Sequence, residues 1–367
     1  MEQVETVIIG AGVVGLAVAR ALARRGAGVV LLEAESHFGE HLSSRNSEVI
    51  HGGLYYPPGS LKARSCLRGN ALLYEYCAAR GIGHRRCGKL IVANDDRLSD
   101  LQRLHDNAMA AGAHGLTVKN RAWLAREEPW LRGHEALHSA HSGIVDSHGL
   151  MASLAREAED HGALLCVRHP VRAIHCEPHR FTLRIAGPNG QFELRAARLI
   201  NAAGLGAVAL VDKMDGFPDS QRPAQRFAKG NYFRLGGASP SQRLIYPLPD
   251  NHGLGVHLTV DLAGQARFGP DVEWVESPDY RVDETRQERF ASAIRRYWPA
   301  LAASKLHPDY AGVRPKLIVD GKPFHDFLLQ DRRHHGIAGL INLLGIESPG
   351  LTAALALAER VEAKLDD

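Results

Sequence analysis

The residues of this chain with the clearest chemistry stand near its start: Gly10, Gly12 and Gly15, spaced G-x-G-x-x-G, with Glu33 downstream. In that spacing the first glycine permits a tight turn and the second lets backbone approach a pyrophosphate. The third lets a helix and a strand pack closely. The helix that follows offers unpaired N–H groups and the positive end of its dipole to the same anion. A carboxylate at the distance of Glu33 accepts hydrogen bonds from a ribose diol. The polar run Ser43, Ser44, Arg45, Asn46 and Ser47 supplies further donors for phosphate and cofactor edges, and Gly52 and Gly53 close the same loop. Two later turns bring backbone to such a site: RLINAAGLGA, through Ala203 and Gly204, and GIESPGLT, through Pro349, Gly350, Leu351 and Thr352.

The elements that position these residues are legible in the periodicity. Val4–Ile9 is an apolar run that reads as a buried strand, and Val14, Val18, Ala21 and Leu22 share one face of the helix after it. Gly26 stops that helix, and Gly28–Leu32 reads as a second buried strand ending at Glu33. The segment VVGLAVARALA has the look of an export signal, but an acidic start, the glycines and two closing arginines make it the first helix. Leu61–Arg80 reads as helix, Gly81–Val92 turns into a strand, and Arg97–Ala125 reads as mostly helical. Another helix spans Leu150–His161. From Leu164 to Asn201 the period becomes that of strands, with a turn at Pro188–Asn189–Gly190. Gly230–Gly269 is strand-rich and Asp283–Tyr297 a polar helix. Leu340–Leu344 is a buried strand, followed by Ser348 as N-cap and Pro349 in the first turn of a final helix.

Composition narrows the class. Lys and Arg number 44 against 41 Asp and Glu, a net charge of +3 without a basic block, which gives nucleic-acid binding little support. The five cysteines are scattered without a CxxC pair, as expected for reduced thiols in the cytoplasm. No apolar run is long enough to span a bilayer, which leaves peripheral contact at the inner membrane face open. His138 and His141 share a helical spacing but have no carboxylate or cysteine at zinc-site spacing, so no metal site is expected.

The chain resembles the FAD-dependent oxidoreductases of the D-amino-acid-oxidase superfamily, and within it the L-2-hydroxyglutarate dehydrogenase and oxidase branch. The fingerprint with Glu33, RNSEVIHGGLYYPPGSLKA at 45–63, GNALLYEYC at 69–77, CGKLIVA at 87–93, GLGVHLT at 253–259, AGVRPK at 311–316 and ESPGLTAALA at 347–356 carry the likeness from end to end. It departs at Glu48, where the family pattern has glycine. The resemblance implies FAD as cofactor and oxidation of a 2-hydroxy acid, L-2-hydroxyglutarate-like, to the 2-oxo acid, with electrons leaving to oxygen or a quinone.

That chemistry needs a base for the hydroxyl proton, groups to hold the carboxylate, and stabilisation of reduced flavin. His51 and His257 are the candidate bases. Arg314 is placed to grip a carboxylate bidentately, and Tyr55 and Tyr246 are hydroxyl donors toward substrate. The expected architecture is α/β: a Rossmann-like FAD-binding domain of residues 1–85, 145–215 and 305–367, interleaved with a β-rich α+β substrate domain of 86–144 and 216–304. Two other readings of the same fold are a flavin amino-acid or amine oxidase and a non-catalytic nucleotide-binding protein.

Overall fold

A computed structural model describes residues 2–178, 180–249 and 255–365. The expected α/β architecture is present as two compact units interleaved along the chain. One comprises residues 1–44, 147–226 and 314–367, the other 45–146 and 227–313.

The first unit is built on a sheet whose core is parallel. Leu340–Leu344, the end of Gly190–Asn201, Glu2–Ile9, Val29–Leu32 and Leu164–Cys166 lie side by side in that order. Strands covered on both faces read as unbroken apolar runs, and Val29–Leu32 and Leu340–Leu344 are buried throughout. Gly190–Asn201 forks: its first half pairs antiparallel with Arg180–Gly187, its last three residues parallel with Leu340–Asn342. The first helix, Val13–Arg24, packs between Ser147–Asp160 and the final helix Gly350–Leu365. Arg20 reaches Glu157 at 2.8 Å, pinning two of these helices through a carboxylate that is almost wholly buried.

The second unit carries a larger mixed sheet. Its strands run Ala224–Leu235, Ala266–Gly269, His257–Val260, Leu244–Pro247, Lys89–Ala93, Glu135–Ser139 and Leu116–Lys119, with Leu306–Val319 beside the first. Its core gathers Leu90, Val92, Phe233, Leu258, Phe268 and Phe290. Helix Leu61–Arg80 is capped at Ser60, whose hydroxyl accepts from the Ala63 N–H, and closes at Gly81 with φ 66°.

Three expectations are corrected. Within the helical region expected over 97–125, Leu116–Lys119 is a strand, because Thr117 and Val118 find a partner in Glu135–Ser139. Pro349 precedes the final helix instead of starting it: the helix opens at Gly350 and the Pro349 carbonyl accepts the Ala353 N–H, so Ser348 lies one residue outside the cap. Residues 45–85, expected with the first unit, pack in the second. There Asn70 binds the carbonyls of both His51 and His141. Residues 253 and 254 of the GLGVHLT motif lie outside the described residues.

Candidate active site

The glycine fingerprint folds as its spacing demands. Gly10 has φ 101°, and a Cβ there would lie 2.6 Å from the Ala202 carbonyl oxygen. A Cβ on Gly15 would strike the carbonyl oxygen of Gly10, which is the close strand–helix packing that the third glycine serves. A Cβ on Gly12 would come within 2.9 Å of Ser43 Oγ, and that oxygen accepts the Val13 N–H at 3.0 Å. Gly12 caps the helix without a side chain, no acid stands in the first turn, and Ser43 takes the Val13 N–H from outside the helix. Glu33 follows the buried strand Val29–Leu32. Its carboxylate accepts the N–H of Ala11 at 2.7 Å and of Glu35 at 3.0 Å, which fixes it beside the glycine turn. These features fit the pyrophosphate and ribose of a dinucleotide.

The other expected cofactor residues fall in both units. In the first, Ser44 donates to the His41 carbonyl, and the Ala203 N–H donates to Asn201 Oδ1 at 3.3 Å before Gly204 turns with φ 55°. Asn201 is buried and bonded to Asn342 on the adjacent parallel strand, a pairing that holds the ends of the two strands together. Gly350, Leu351 and the buried Thr352 form the first turn of the final helix, directly after Pro349. In the second unit, Arg45 lies over the Tyr280 ring at 4.3 Å, and its carbonyl meets Gly312 so closely that any Cβ there would collide. Asn46 accepts the Glu48 N–H through its side chain and the Tyr310 hydroxyl through its carbonyl. Ser47 is half-buried. Gly52 and Gly53 are held by packing within the unit: a Cβ on Gly52 would meet Ser139 Oγ, and one on Gly53 the Leu67 side chain.

Four of the five expected substrate-site residues come together in the second unit. Lys89, Tyr246 and His257 share one face of the larger sheet. Lys89 pairs with Leu244 and Tyr246 with Ile91, while Ile245 opposite Leu258 sets Tyr246 beside His257. The Tyr246 and His257 rings stack with centroids 3.6 Å apart and 12° between planes. Both side chains are buried. His51 lies within electrostatic reach of Lys89 and His257, and its carbonyl is held by Cys66 and Asn70, one turn apart on helix Leu61–Arg80. Desolvation first, then the charges of Lys89 and His257, hold the His51 imidazole well below its ordinary pKa and keep it neutral. Burial pushes the Tyr55 and Tyr246 hydroxyls up, so both stay protonated. The Tyr55 Oη is buried without a partner among the described residues. Arg314 is half-buried on Leu306–Val319, at the point where that strand enters the first unit.

Lys89 was not singled out by the sequence. Wholly buried, with Nζ 3.9 Å from the Tyr246 ring centroid, it sits among the expected residues. The only signal for it was a lysine inside the apolar strand KLIVA, where a surface cation is out of place. Among the described residues no three metal-ligating side chains come together.

A family model for FAD dependent oxidoreductases, DAO, matches residues 5–363. The chain is 43% identical to the mitochondrial L-2-hydroxyglutarate dehydrogenase of Arabidopsis thaliana, over 99% of this chain and 83% of that protein. It is 30% identical to L-2-hydroxyglutarate dehydrogenase of Escherichia coli K12, over 98% and 92%. Among solved structures, L-alpha-glycerophosphate oxidase of Mycoplasma pneumoniae with FAD bound aligns at TM-score 0.89 and 23% identity, over 100% and 96% of the two chains. Glycine oxidase of Geobacillus kaustophilus aligns at TM-score 0.82 and 20% identity, over 100% and 95%.

Proposed function

The chain belongs to the DAO family of FAD dependent oxidoreductases, and we propose that within it this protein oxidises L-2-hydroxyglutarate to 2-oxoglutarate. The observation that carries the substrate is the likeness to the Arabidopsis L-2-hydroxyglutarate dehydrogenase, 43% identical over nearly the whole chain. The alignment to glycine oxidase, at 20% identity, supports the fold alone, so the amine-oxidase reading is not favoured.

FAD supplies the hydride acceptor when bound. In this reading Gly10, Gly12, Gly15 and the first helix hold its pyrophosphate and Glu33 its ribose. Ser43 to Ser47, Gly52, Gly53, Ala203, Gly204 and the Pro349–Thr352 turn contribute the remaining contacts. A neutral imidazole is the form that accepts the proton from the substrate hydroxyl oxygen as hydride leaves the carbon that bears this hydroxyl. The depressed pKa of His51 supports it in that role. His257, stacked on Tyr246, orients the substrate or takes the proton in its place. Arg314 grips a carboxylate, for which its forked guanidinium is suited, and Tyr55 donates a hydrogen bond from its buried hydroxyl.

The reading extends to electrons passing on to oxygen or a quinone, in the cytoplasm or against the inner membrane face. No helix among the described residues is long and apolar enough to cross a membrane. Oxygen uptake compared with quinone reduction, with and without lipid vesicles, separates these acceptors.

Anaerobic stopped-flow mixing of the yellow protein with L-2-hydroxyglutarate tests the main reading. Rapid bleaching of the flavin band is expected, with 2-oxoglutarate formed in step. Bleaching by amino acids and not by the hydroxy acid would replace this function with amine oxidation, and a protein without flavin would overturn the cofactor assignment.

A further inference from the structure

We propose that Lys89 is a substrate carboxylate-binding residue of the second unit, its ammonium meeting the negative charge of the incoming acid. The inference rests on the proposed dicarboxylic substrate and adds a residue to its site.

The geometry is that of a charge waiting for a partner. Lys89 is wholly buried in the strand Lys89–Ala93, with neighbouring strands on both sides. Its Nζ has no hydrogen-bond partner among the described residues. Around it stand the Tyr246 ring at 3.9 Å, the Tyr55 ring at 5.8 Å, the thiols of Cys66 and Cys87, and the His51 imidazole. His257 completes the surroundings through its stack on Tyr246.

None of these groups is an anion. Burial pushes the Cys66 thiol up to about 12 and raises Cys87, and both tyrosine hydroxyls are pushed up as well. A lysine kept only for packing would be replaced at a gain in stability by leucine or methionine, because a buried charge without a counter-charge is costly. The Tyr55 hydroxyl nearby is a second buried group without a partner. Two unsatisfied donors, one cationic, beside two imidazoles and no acid make the complement of a carboxylate.

A consequence follows for protons. Burial brings Lys89 down to about 7, so near neutrality it is divided between its charged and neutral forms. A carboxylate arriving at Nζ favours the charged form, and binding draws in a proton. His51 is held neutral in this range, and the thiols and hydroxyls titrate far above it.

The test is calorimetric titration of the holoenzyme with 2-oxoglutarate, in two buffers of different ionisation heat, from acid to alkaline pH. For wild type, proton uptake is expected, with affinity falling toward about tenfold per pH unit on the alkaline side. Lys89→Met is expected to bind about tenfold or more weakly near neutrality, with no proton uptake and a flat pH profile. Its KM for L-2-hydroxyglutarate should rise more than its limiting rate of flavin reduction falls. Lys89→Arg, a cation without a titration in this range, should restore binding without the pH dependence. A Lys89→Met protein that binds within twofold of wild type, or keeps the proton uptake, overturns the proposal. Should the methionine variant lose FAD, Lys89→Gln is read by the same criteria. With 2-oxobutyrate, a matching loss puts Lys89 on the carboxylate beside the reacting carbon, and no loss puts it on the distal one; both support the contact. Wild-type flavin that L-2-hydroxyglutarate does not reduce would instead refute the substrate assignment, independently of Lys89.

Discussion

At position 48 the backbone is left-handed, with φ 55°, and the residue is glutamate. Its N–H is held by Asn46 and its carbonyl by Val145, so the turn is set on both sides by other residues. An L side chain in this region costs about 1–2 kcal/mol, and glycine's extra freedom in the unfolded chain returns part of that. Glu48→Gly is therefore expected to stabilise the protein by about 0.5–1 kcal/mol, read as a higher urea midpoint at unchanged slope. A lower midpoint would show that the glutamate side chain's contacts outweigh the strain. Lys89 makes a prediction of the opposite kind, about charge. Its amine titrates at about 7 when folded and at about 10.4 when unfolded. Between those values the unfolded chain holds more protons, so stability rises with pH across the window. Lys89→Met should be the more stable protein at neutral pH, with an advantage that shrinks as the pH approaches about 10. An advantage constant with pH would mean that Lys89 keeps its unfolded pKa when buried and stays charged throughout the window.

Helix Leu61–Arg80 has its ends written locally, in a Ser60 cap and a Gly81 stop, and its span was legible in the sequence. Its task is not local. Cys66 and Asn70, one turn apart, fasten the His51 carbonyl, and Asn70 uses its second N–H on the His141 carbonyl. Asn70→Ala leaves two inward-facing acceptors short of a donor, a cost of about 1–3 kcal/mol. It should also slow flavin reduction by L-2-hydroxyglutarate, with KM and FAD content little changed, since it acts by positioning His51. Reduction at the wild-type rate despite the lost stability would confine Asn70 to a structural role. What could not be read locally was pairing. Leu116–Lys119 becomes a strand only because Glu135–Ser139 lies beside it. Lys89 meets Tyr246 and His257 only through the register of two further strands. A lysine in sequence reads as surface, and the aromatic rings that enclose this one are supplied from far along the chain.

Across the whole molecule the chain passes between the two units at residues 44–45, 146–147, 226–227 and 313–314, so neither unit is a continuous stretch. The interleaving was legible because a nucleotide-binding strand–helix pattern opens the chain and a buried strand followed by a helix closes it. The first crossing was not, because the polar loop continues without a break in composition and only the contacts of Arg45, Asn46 and His51 assign it. This organisation gives FAD a reach beyond its immediate contacts. The fingerprint, Ser43 and Glu33 belong to a unit assembled from three separate segments, so a ligand that binds there stabilises chain from both ends of the sequence at once. By mass action, FAD at one hundred times its dissociation constant should raise the unfolding free energy by about 2.7 kcal/mol. Gly12→Val removes that increment at its source. Even a Cβ at this position lies 2.9 Å from Ser43 Oγ, and the larger isopropyl group crowds the glycine turn to which the pyrophosphate is here assigned. The variant should purify without yellow colour, melt near the wild-type apoprotein, and show no rise in midpoint as FAD is added. A variant that stays yellow and gains the full increment would place the pyrophosphate away from Gly12. A variant that melts far below the apoprotein would show that the glycine serves the packing of Ser43 against the helix, and only secondarily the cofactor.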